Sequence, residues 1–472
     1  MVKSNRLTSP DLGTGHHRPQ SDIGGWSVAH LIKGDFMNVP TQPVVFKPNS
    51  RGADRYQYLT QTDAGTPTGE LMRRYWQPVA LIDSLPPGAA PQPIRILGED
   101  LVLFRDDKDR VGLIDRKCAH RCTDLALGRV EDGGIRCPYH GWLFDVEGRC
   151  LSQPAEASAT AKDRIRMKSY PLHEAAGAFW AYMGPGEPPL FPNYPALAGG
   201  AEHCYTTRWF GDCNWLQASE GNIDPVHTSY LHQLELSSDD MKARWGVFSN
   251  QSRPELAVED TRFGVRLYTL RKIDGTERSS IRITNFVMPN ACAVGGFEGY
   301  LGEGGLTMLW DVPIDDQHHW RWEFIFHRSG KLNKASLEAQ YQSEKEEGDR
   351  MRRKWEDLYS QDRESMKGKA YLGLGECFSV HDIAITQSQG TIHQQADEHL
   401  SSSDIAIVRA RRMLDEAARV VAEGGDPRGV VRTDADNDFR DMVVVTGEVE
   451  NGDSKEAYCA RFTESPDLFR PQ

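Results

Sequence analysis

The spacing of apolar residues predicts many short β-strands and few helices. After residue 90, short apolar runs are broken by Gly and Pro, as in PIRILGEDLVLFRD, VGLIDR and GIRCPYHGWLFDVEG. Runs bounded by turn residues in this way predict a small unit of short strands joined by tight turns. Between residues 205 and 330 the apolar positions alternate, as in RFGVRLYTL, SIRITNFVM and HHWRWEFIFH. A period of two places alternate side chains on one face, so this region predicts a larger antiparallel sheet.

Two later segments predict helices. Residues 403–422 carry a long helical pattern, with Ser403 or Asp404 as the N-cap and Gly424 near the stop. Residues 334–360 are highly charged and predict a solvated, salt-bridged helix. Strands and helices thus fall in separate stretches, and the fold class that we predict is α+β.

Composition and charge argue against nucleic acids and membranes as binding partners of this chain. The 472 residues carry a net charge of −13, which does not favour binding to nucleic acid phosphates. No stretch approaches the roughly 20 uncharged apolar residues that a membrane-spanning helix needs. The first 20 residues lack the apolar segment of a secretory signal, so we expect a soluble, cytoplasmic protein without membrane contact.

Four of the nine cysteines cluster in one region, together with a pair of histidines. Cys118-Ala-His120 is followed by sixteen residues and then by Cys137-Pro-Tyr-His140, so two short loops each offer one thiolate and one imidazole. Such a set could hold zinc, or a [2Fe–2S] cluster with both cysteines on one iron. Zinc sites usually separate paired ligands by two to four residues, whereas the first loop has one, and the ligands interleave as C-H-C-H. The spacing therefore favours the cluster over zinc and over buried residues without a metal.

A second constellation lies in NWLQASEGNIDPVHTSYLH, at residues 214–232. Two histidines and a carboxylate from elsewhere would form a triad that leaves positions open on Fe(II). His227 and His232 are separated by about 140° on an ideal helix, so they could bind one ion only if the segment is distorted. Asp224 before Pro225 also fits the N-cap and first position of a helix, and a capping Asp224 would still reach His227. On spacing alone, core or surface histidines remain the alternative.

The joint occurrence of CAHRC, CPYHGWLFD and NWLQASEGNIDPVHTSYLH resembles the large subunits of Rieske ring-hydroxylating oxygenases. The closest resemblance is to the phthalate dioxygenase branch, which has one subunit type. A third stretch, VHDIAITQSQG at residues 380–390, is similar to the C-terminal ligand segment of the family. The resemblance covers roughly residues 56–420, with the three motifs in the family's order. It implies an all-β Rieske [2Fe–2S] domain followed by a helix-grip catalytic domain.

The resemblance also implies a role for each motif residue. Cys118, His120, Cys137 and His140 would hold the cluster, and His227, His232 and Asp382 would hold Fe(II). Asp224 would hydrogen-bond His227 on one side and a cluster histidine of a neighbouring subunit on the other, which couples the two metal centres. This chain has Glu220 where many relatives carry Asn.

The same resemblance divides the chain and implies its partners. It implies the Rieske domain with a leading helix at 53–195 and the catalytic domain at 196–430. Residues 1–52, which are polar and rich in Pro, Gly and Ser, predict an extension, and residues 431–472, which match no part of the family, are assigned to a tail. A separate NADH-dependent reductase with flavin or iron–sulfur centres would supply electrons, since no G-x-G-x-x-G motif follows a strand here. Copies of the chain would assemble head to tail as a trimer or hexamer, so that electrons cross between subunits.

The phthalate-like branch acts on aromatic carboxylates, so the expected substrate is anionic and needs a cationic partner. Arginine pairs with carboxylates through two parallel hydrogen bonds. The candidates are Arg253, Arg282 and Arg266, with the first two ranked highest, although a surface salt bridge explains each arginine alone more simply. The expected reaction is O2-dependent cis-dihydroxylation of an aromatic carboxylate such as a phthalate, in the breakdown of aromatic compounds.

Three other functions compete with this hypothesis. A monooxygenase or O-demethylase acting on a substituted benzoate stays open, because the same seven ligands serve both reactions. A Rieske ferredoxin would need only the cluster, and the second metal constellation argues against it. A non-catalytic structural or sensor protein would not need suitable residues at all seven ligand positions.

Overall fold

The structure, a computed structural model, describes residues 53–233, 252–295, 305–328, 330–368 and 370–453. Short strands in three small sheets dominate the first part of the described chain, and one large sheet with accompanying helices dominates the rest. This segregation of strands and helices confirms the α+β prediction. None of the helices in these ranges combines the length and apolarity that crossing a membrane requires.

The N-terminal region contains three small antiparallel sheets. Its strands are β1 (Trp76–Leu81), β2 (Gln92–Ile96), β3 (Glu99–Arg105), β4 (Val111–Asp115), β5 (Arg129–Glu131), β6 (Gly134–Arg136), β7 (Leu143–Phe144), β8 (Cys150–Ser152), β9 (Ser169–Tyr170), β10 (Leu172–Ala175) and β11 (Ala178–Tyr182). The sheets have the strand orders β1-β11-β10, β2-β3-β4-β9 and β5-β6-β7-β8. The small all-β unit predicted from the sequence is therefore present.

The third of these sheets carries the two Cys/His loops, which we define as residues 118–122 and 137–141. The first loop lies between β4 and β5, and the second lies between β6 and β7. Leu125, Ile135 and Phe144 are fully buried and form one hydrophobic cluster with the cysteines that begin the two loops. This small core anchors both loops at the same place.

The large sheet provides the scaffold of the second half. Its strands are β12 (Cys204–Gly211), β13 (Glu255–Asp260), β14 (Gly264–Lys272), β15 (Arg278–Val287), β16 (Ala291–Gly295), β17 (Gly305–Pro313), β18 (His319–His327), β19 (Lys345–Glu346), β20 (Arg350–Met351) and β21 (Val445–Glu450). The strand order is β13-β14-β15-β16-β17-β18-β12-β20-β19, and β21 pairs with β15. Since β21 comes from the segment expected to form a tail, part of residues 431–472 contributes a strand to this sheet.

Six α-helices lie in the described residues. They are α1 (Pro67–Met72), α2 (Pro195–Ala198), α3 (Trp215–Ile223), α4 (Lys334–Ser343), α5 (Phe378–Ser388) and α6 (Ile405–Ala422). The α6 helix confirms the prediction for 403–422, and Gly424 follows it with a φ of +83°. The single long helix predicted for 334–360 is wrong, because Gly348 and Asp349, both with positive φ, turn the chain between β19 and β20.

Alternation along its strands gives the large sheet two different faces. Trp310, Trp322 and Phe324 on one face belong to the main hydrophobic core, where Trp180 of the N-terminal region stacks on Phe324 at 5.1 Å between centroids. The opposite face carries buried polar side chains, namely Thr207, Arg271, Arg282, Asp311, Arg321 and Glu323. We call this second surface the polar face of the sheet. Buried charges must be paired or hydrogen-bonded, so the polar face is where a functional site is expected.

Candidate metal centres

The two Cys/His loops share one backbone design. In each loop the N–H of the first cysteine donates to the carbonyl five residues later. The distance is 2.9 Å from Cys118 N to Thr123 O and 2.8 Å from Cys137 N to Trp142 O. The residue four positions after each cysteine, Cys122 or Gly141, donates back to the cysteine carbonyl and has a positive φ. The repeated turn brings the side chains of the two loops together.

All four predicted cluster residues lie at this end of the third sheet. The rings of His120 and His140 are 4.4 Å apart between centroids, whereas Cys118 and Cys137 are buried. Burial, together with the adjacent Cys137 thiol, raises the pKa of Cys118 to about 11. Metal binding displaces such thiol protons, so two thiols beside two imidazoles fit a [2Fe–2S] cluster. His120 is exposed, so a redox partner can approach the histidine side.

The chain that carries the two candidate iron-binding histidines is not a continuous helix. α3 ends at Ile223 with Asp224 as its C-cap, and a single 3₁₀ turn, His227–Ser229, follows. The rings of His227 and His232 are consequently only 5.0 Å apart between centroids. The distortion that the five-residue spacing required is therefore present.

Helix α5 brings Asp382 to these two histidines. One ligand atom from each of the three residues lies within 4.8 Å of the others. Asp382 Oδ1 lies 3.0 Å from His232 Nε2 and 3.9 Å from His227 Nε2. Burial lowers the pKa of His232 to about 4, so this imidazole is neutral. Burial alone would raise the pKa of Asp382, but His232, Arg321 and His227 outweigh it and hold that pKa well below the usual aspartate range.

The chemistry of these donors fits a mononuclear iron. A neutral imidazole can direct a lone pair at a cation, and an ionised carboxylate supplies negative charge beside it. His232 is 2% exposed, so water does not compete freely for its ring. The three residues that the sequence singled out as iron ligands are thus brought together by the fold.

A buried arginine that sequence reasoning missed holds the second oxygen of Asp382. Arg321 donates from Nη2 to Asp382 Oδ2 at 3.0 Å, from Nη1 to Asn222 Oδ1 at 2.7 Å and from Nε to Glu323 Oε1 at 3.2 Å. Asn222 in turn donates to Asp311 Oδ2 at 2.7 Å. The network fixes the Asp382 carboxylate so that Oδ1 faces the histidines.

Asp224 both ends a helix and contacts a histidine. Its Oδ1 accepts from the Val226 N–H at 2.8 Å, and its Oδ2 accepts from the His227 N–H at 3.2 Å. Asp224 Oδ2 also lies 3.6 Å from His227 Nδ1. Burial would raise the pKa of Asp224, but the His227 side chain and the two backbone amides outweigh it and lower that pKa. An ionised carboxylate beside His227 remains 24% exposed, so a second donor can reach it.

A small pocket opens beside the candidate iron ligands. His227 and Asp382 line one side, and Arg282 of β15 reaches it from the polar face of the sheet. The apolar residues on its walls are Ile223, Leu267, Val294 and Leu309. The cavity therefore combines apolar walls with one guanidinium group, as a binding site for an anionic aromatic molecule requires.

The other two candidate arginines lie elsewhere. Arg266 is on the opposite face of the sheet from Arg282, where its Nε donates to Asn285 Oδ1 at 3.4 Å and its Nη1 lies 3.6 Å from Glu259. Arg253 is exposed, two residues before β13. The structure thus brings only Arg282 of the three to the walls of the cavity.

Two further arginines support the segments around the site, and no sequence pattern singled them out. Arg271 Nη2 donates to the Pro225 carbonyl at 2.8 Å and to Thr228 Oγ1 at 3.2 Å, which supports the turn that carries His227. Arg411 of α6 binds both carboxylate oxygens of Glu220, at 2.5 and 2.7 Å. The unusual Glu220 was therefore the one available signal, since a buried carboxylate needs a buried cation.

Comparison with known protein families gives the same two parts. Residues 75–171 match the family described as Rieske [2Fe-2S] domain, and residues 181–463 match the family described as LigXa C-terminal domain like. Together with the Cys/His loops and the His227, His232 and Asp382 triad, these matches define an oxidoreductase with a Rieske domain and a separate catalytic domain.

The chain is also similar over most of its length to curated oxygenase subunits. It is 34% identical to the phenoxybenzoate dioxygenase subunit alpha of Ectopseudomonas oleovorans, over 80% of this chain and 88% of the relative. It is 33% identical to the phthalate 4,5-dioxygenase oxygenase subunit of Pseudomonas putida, over 78% and 86%. It is 30% identical to the 5,5'-dehydrodivanillate O-demethylase oxygenase subunit of Sphingobium sp., over 82% and 84%. The chain belongs to the Rieske oxygenase family, as a terminal oxygenase of the aromatic ring-hydroxylating or demethylating type with a [2Fe–2S] cluster and a mononuclear iron.

Solved structures agree on the fold. The oxygenase in the reduced oxygenase–ferredoxin complex of carbazole 1,9a-dioxygenase superposes with a TM-score of 0.51 at 20% identity, over 80% of this chain and 94% of that chain. The terminal oxygenase of carbazole 1,9a-dioxygenase from Nocardioides aromaticivorans gives 0.52 at 19% identity, over 77% and 97%. The predicted combination of a Rieske domain with a sheet-and-helix catalytic domain is confirmed.

Proposed function

We propose that Cys118, His120, Cys137 and His140 hold the Rieske cluster and that His227, His232 and Asp382 hold the mononuclear iron. The approach of the last three residues to within 4.8 Å of one another supports the iron assignment. When bound, the iron supplies open positions for O2 and substrate, and the cluster supplies electrons. Residues of the chain hold this site in shape: Arg321 orients Asp382, and Arg271 supports the turn that begins at His227.

Asp224 links the two centres between neighbouring subunits. One of its oxygens already accepts from the His227 backbone, and part of the carboxylate stays exposed. The exposed His120, or the half-buried His140, of a second copy can donate a ring N–H to that carboxylate. This arrangement requires a head-to-tail homo-oligomer, a trimer or a pair of trimers, in which each cluster serves the iron of the next chain.

The substrate is an aromatic carboxylate, such as a phthalate, and the reaction is cis-dihydroxylation of its ring. The observation that carries this proposal is the position of Arg282, which lines the same cavity as His227 and Asp382. A guanidinium group binds a carboxylate, and the apolar walls accept the ring. Two relatives are named for phenoxybenzoate and phthalate, both of which are carboxylates. Arg253 remains a second candidate for the same role.

The electrons come from a separate NADH-dependent reductase with flavin or iron–sulfur centres. None of the four sheets in the described residues is the parallel type that binds dinucleotides. The exposed His120 side of the Cys/His loops offers a place where such a donor can approach. Each turnover consumes O2, two electrons and two protons to give the dihydrodiol.

Monooxygenation or O-demethylation of a substituted benzoate is the second candidate function. One relative that is 30% identical over 82% of this chain is named as an O-demethylase oxygenase subunit. The triad and Arg282 would serve that reaction equally well, because the position of the substrate beside the iron decides which atom is oxidised. Reaction of the holoenzyme with ¹⁸O₂ separates the two. A diol with two labelled oxygens supports dihydroxylation, and one labelled oxygen or released formaldehyde supports the alternative.

Substitution of Arg282 tests the substrate class. A hydrogen bond to a charged group contributes about 1.5–3 kcal/mol, so Arg282→Gln should weaken binding of a phthalate or benzoate by about 10–100-fold. Binding of the corresponding carboxamide, which has no charge, should change much less. Arg266→Gln is the matched control, because Arg266 lies on the other face of the sheet. Unchanged carboxylate binding in Arg282→Gln, or equal losses in both variants, would contradict the proposal.

A further inference from the structure

His232 takes part in a buried chain of hydrogen-bonding groups that leads away from the candidate iron site. Its Nδ1 lies 3.3 Å from Nδ1 of His381, and Nε2 of His381 lies 2.9 Å from the Gly375 carbonyl oxygen. The two rings are nearly parallel, with an angle of 20° between their planes. His381 is fully buried and directly precedes Asp382 on α5. The same helix therefore supplies one candidate ligand and a partner for another.

The carbonyl of Gly375 determines where the protons of this chain lie. A carbonyl oxygen only accepts, so Nε2 of His381 must carry a hydrogen and donate it. In the neutral ring, Nδ1 of His381 then has a lone pair and accepts the hydrogen on Nδ1 of His232. A neutral His232 protonated at Nδ1 has its lone pair on Nε2, the atom that lies 3.0 Å from Asp382 Oδ1.

The reverse arrangement is unfavourable. A hydrogen on Nδ1 of His381 would leave its Nε2 bare and 2.9 Å from the Gly375 oxygen, so that two acceptors would face each other. His232 would then carry its hydrogen on Nε2 and donate it to Asp382 Oδ1, so that this nitrogen would have no lone pair for a metal. Only one direction of the chain is thus compatible with both the carbonyl and a metal at the triad.

We propose that His381 is a positioning residue that selects the Nδ1-protonated tautomer of His232 and fixes the plane of its ring for metal binding. The proposal rests on the proposed role of His232 as an iron ligand. Partners of metal-bound histidines commonly change metal affinity by about 10–100-fold when they are removed. His381 acts by accepting a hydrogen bond, so an acceptor of another kind at its Nδ1 position should replace it in part.

Metal affinity of the full-length protein with its cluster in place provides the test. Fe(II) at the mononuclear site is measured by competition with a coloured chelator, and the visible absorbance of the cluster reports an intact fold. His381→Leu, which removes the acceptor, should weaken Fe(II) binding by about 10–100-fold. His381→Asn, which restores an acceptor near Nδ1, should recover most of that loss. Wild-type affinity in the leucine variant, or equal losses in both variants, would overturn the proposal.

Two controls separate the possible causes of a loss. His319 is another buried histidine on the polar face of the sheet, and its Nδ1 lies 2.8 Å from the Cys213 carbonyl oxygen. His319→Leu should leave Fe(II) affinity within about twofold, and a loss as large as that in His381→Leu would show general softening of the fold instead. His232→Ala must abolish mononuclear iron binding; retention of iron there would refute the assignment of His232 as a ligand rather than the role of His381.

Neutron diffraction gives a test that needs no variant. Crystals of the unmodified chain with Zn(II) at the mononuclear site should show deuterium on Nδ1 of His232 and on Nε2 of His381. Deuterium on Nδ1 of His381 would overturn the proposal directly, even if every His381 variant failed to fold.

Discussion

The two proposed metal centres lie in opposite surroundings. The Cys/His loops place His120 at the surface, and the neighbouring His140 contacts Tyr139, which is 56% exposed. At the iron site, by contrast, His232, Arg321 and the carboxylate of Asp311 are all buried within the fold. An electron must enter from another molecule, so the cluster needs an exposed edge. Oxygen chemistry benefits from a site that excludes water, which agrees with a buried His232 and half-buried His227 and Asp382.

The difference extends to the charges around each centre. In the N-terminal region, Arg95 and Asp100 form an ion pair whose side chains are 43% and 40% exposed. In the catalytic domain, Arg321 pairs with Asp382 and Glu323, and both the arginine and Glu323 are almost fully buried. Exposed pairs contribute little to stability, whereas removal of one partner from a buried set leaves an uncompensated charge. Mutations should therefore have very different consequences in the two regions.

The largest expected effect is the loss of one centre without the other. Asp382→Asn keeps the shape of the side chain and removes the negative ligand charge, so we expect mononuclear iron to fall below one tenth of wild type and product formation to fall to background. The absorbance of the cluster should be unchanged, because its proposed ligands lie in the N-terminal region, whereas Asp382 lies on α5. Iron analysis beside visible spectroscopy makes the measurement. Wild-type iron content would show that Asp382 is not an iron ligand. Loss of the cluster signal would show that the two centres do not form independently.

A smaller effect is expected at Asp224, the residue proposed to link the two centres. Asp224→Asn can still accept from the Val226 N–H but loses the charge beside His227, so we expect product formed per reduced cluster to drop by about 10–100-fold. Both metals should remain bound. Single-turnover assays with prereduced protein measure this drop. Asp260→Asn, at an exposed carboxylate paired with Arg409, should stay within about twofold of wild type. A normal product yield from Asp224→Asn would show that Asp224 takes no part in electron transfer.

Stability should follow the same contrast. Arg321→Met leaves Asp382 and Glu323 without their buried cation, so the free energy of unfolding should fall by about 3–5 kcal/mol. Arg95→Met, the matched change in the N-terminal region, should cost about 0–1 kcal/mol. Urea unfolding followed by tryptophan fluorescence measures both. Equal costs in the two variants would mean that burial does not distinguish the two regions.

The same contrast explains how much the sequence predicted. The proposed cluster residues could be predicted because they lie in two short loops, with ligand spacing that is visible in the chain itself. His227 and His232 were also local, but Asp382 came only from the family resemblance, because no spacing rule connects residues so far apart. Alternation in HHWRWEFIFH correctly predicted the apolar face that includes Trp322 and Phe324.

The partners of the iron ligands were missed because they are partners only after folding. Arg321 and Glu323 occupy the other face of the strand that carries Trp322, and their opposite charges two residues apart were a signal of a buried ion pair. Asn222 and Asp311 join that pair from α3 and β17, which the sequence keeps far apart. The misread helix at 334–360 shows a different limit, because charge patterning did not reveal the turn at Gly348.

The smallest expected effect reverses its sign between the two regions. Burial raises the pKa of Asp311, in the catalytic domain, to about 7. Burial would also raise the pKa of Asp106, in the N-terminal region, but hydrogen bonds from the Arg110 and Lys108 backbone and from the Arg110 side chain lower it. A raised carboxyl pKa lowers stability as the pH rises from about 4 to about 7, because the unfolded state ionises first. A lowered pKa adds stability above about pH 4 that is lost on acidification.

The two asparagine variants should therefore respond to pH in opposite directions. The free energy of unfolding of Asp311→Asn, relative to that of wild type, should increase by about 1–3 kcal/mol as the pH rises from about 4 to about 8. The variant lacks the buried carboxyl whose ionisation destabilises the wild type over this range. Asp106→Asn should be less stable than wild type at neutral pH, and that deficit should shrink as the pH falls below about 4. Unfolding free energies across this pH range measure both. If the unfolding free energies of the two variants, relative to wild type, changed with pH in the same direction, burial would not disfavour the ionised form of Asp311. The catalytic domain would then solvate this charge as well as the N-terminal region solvates Asp106.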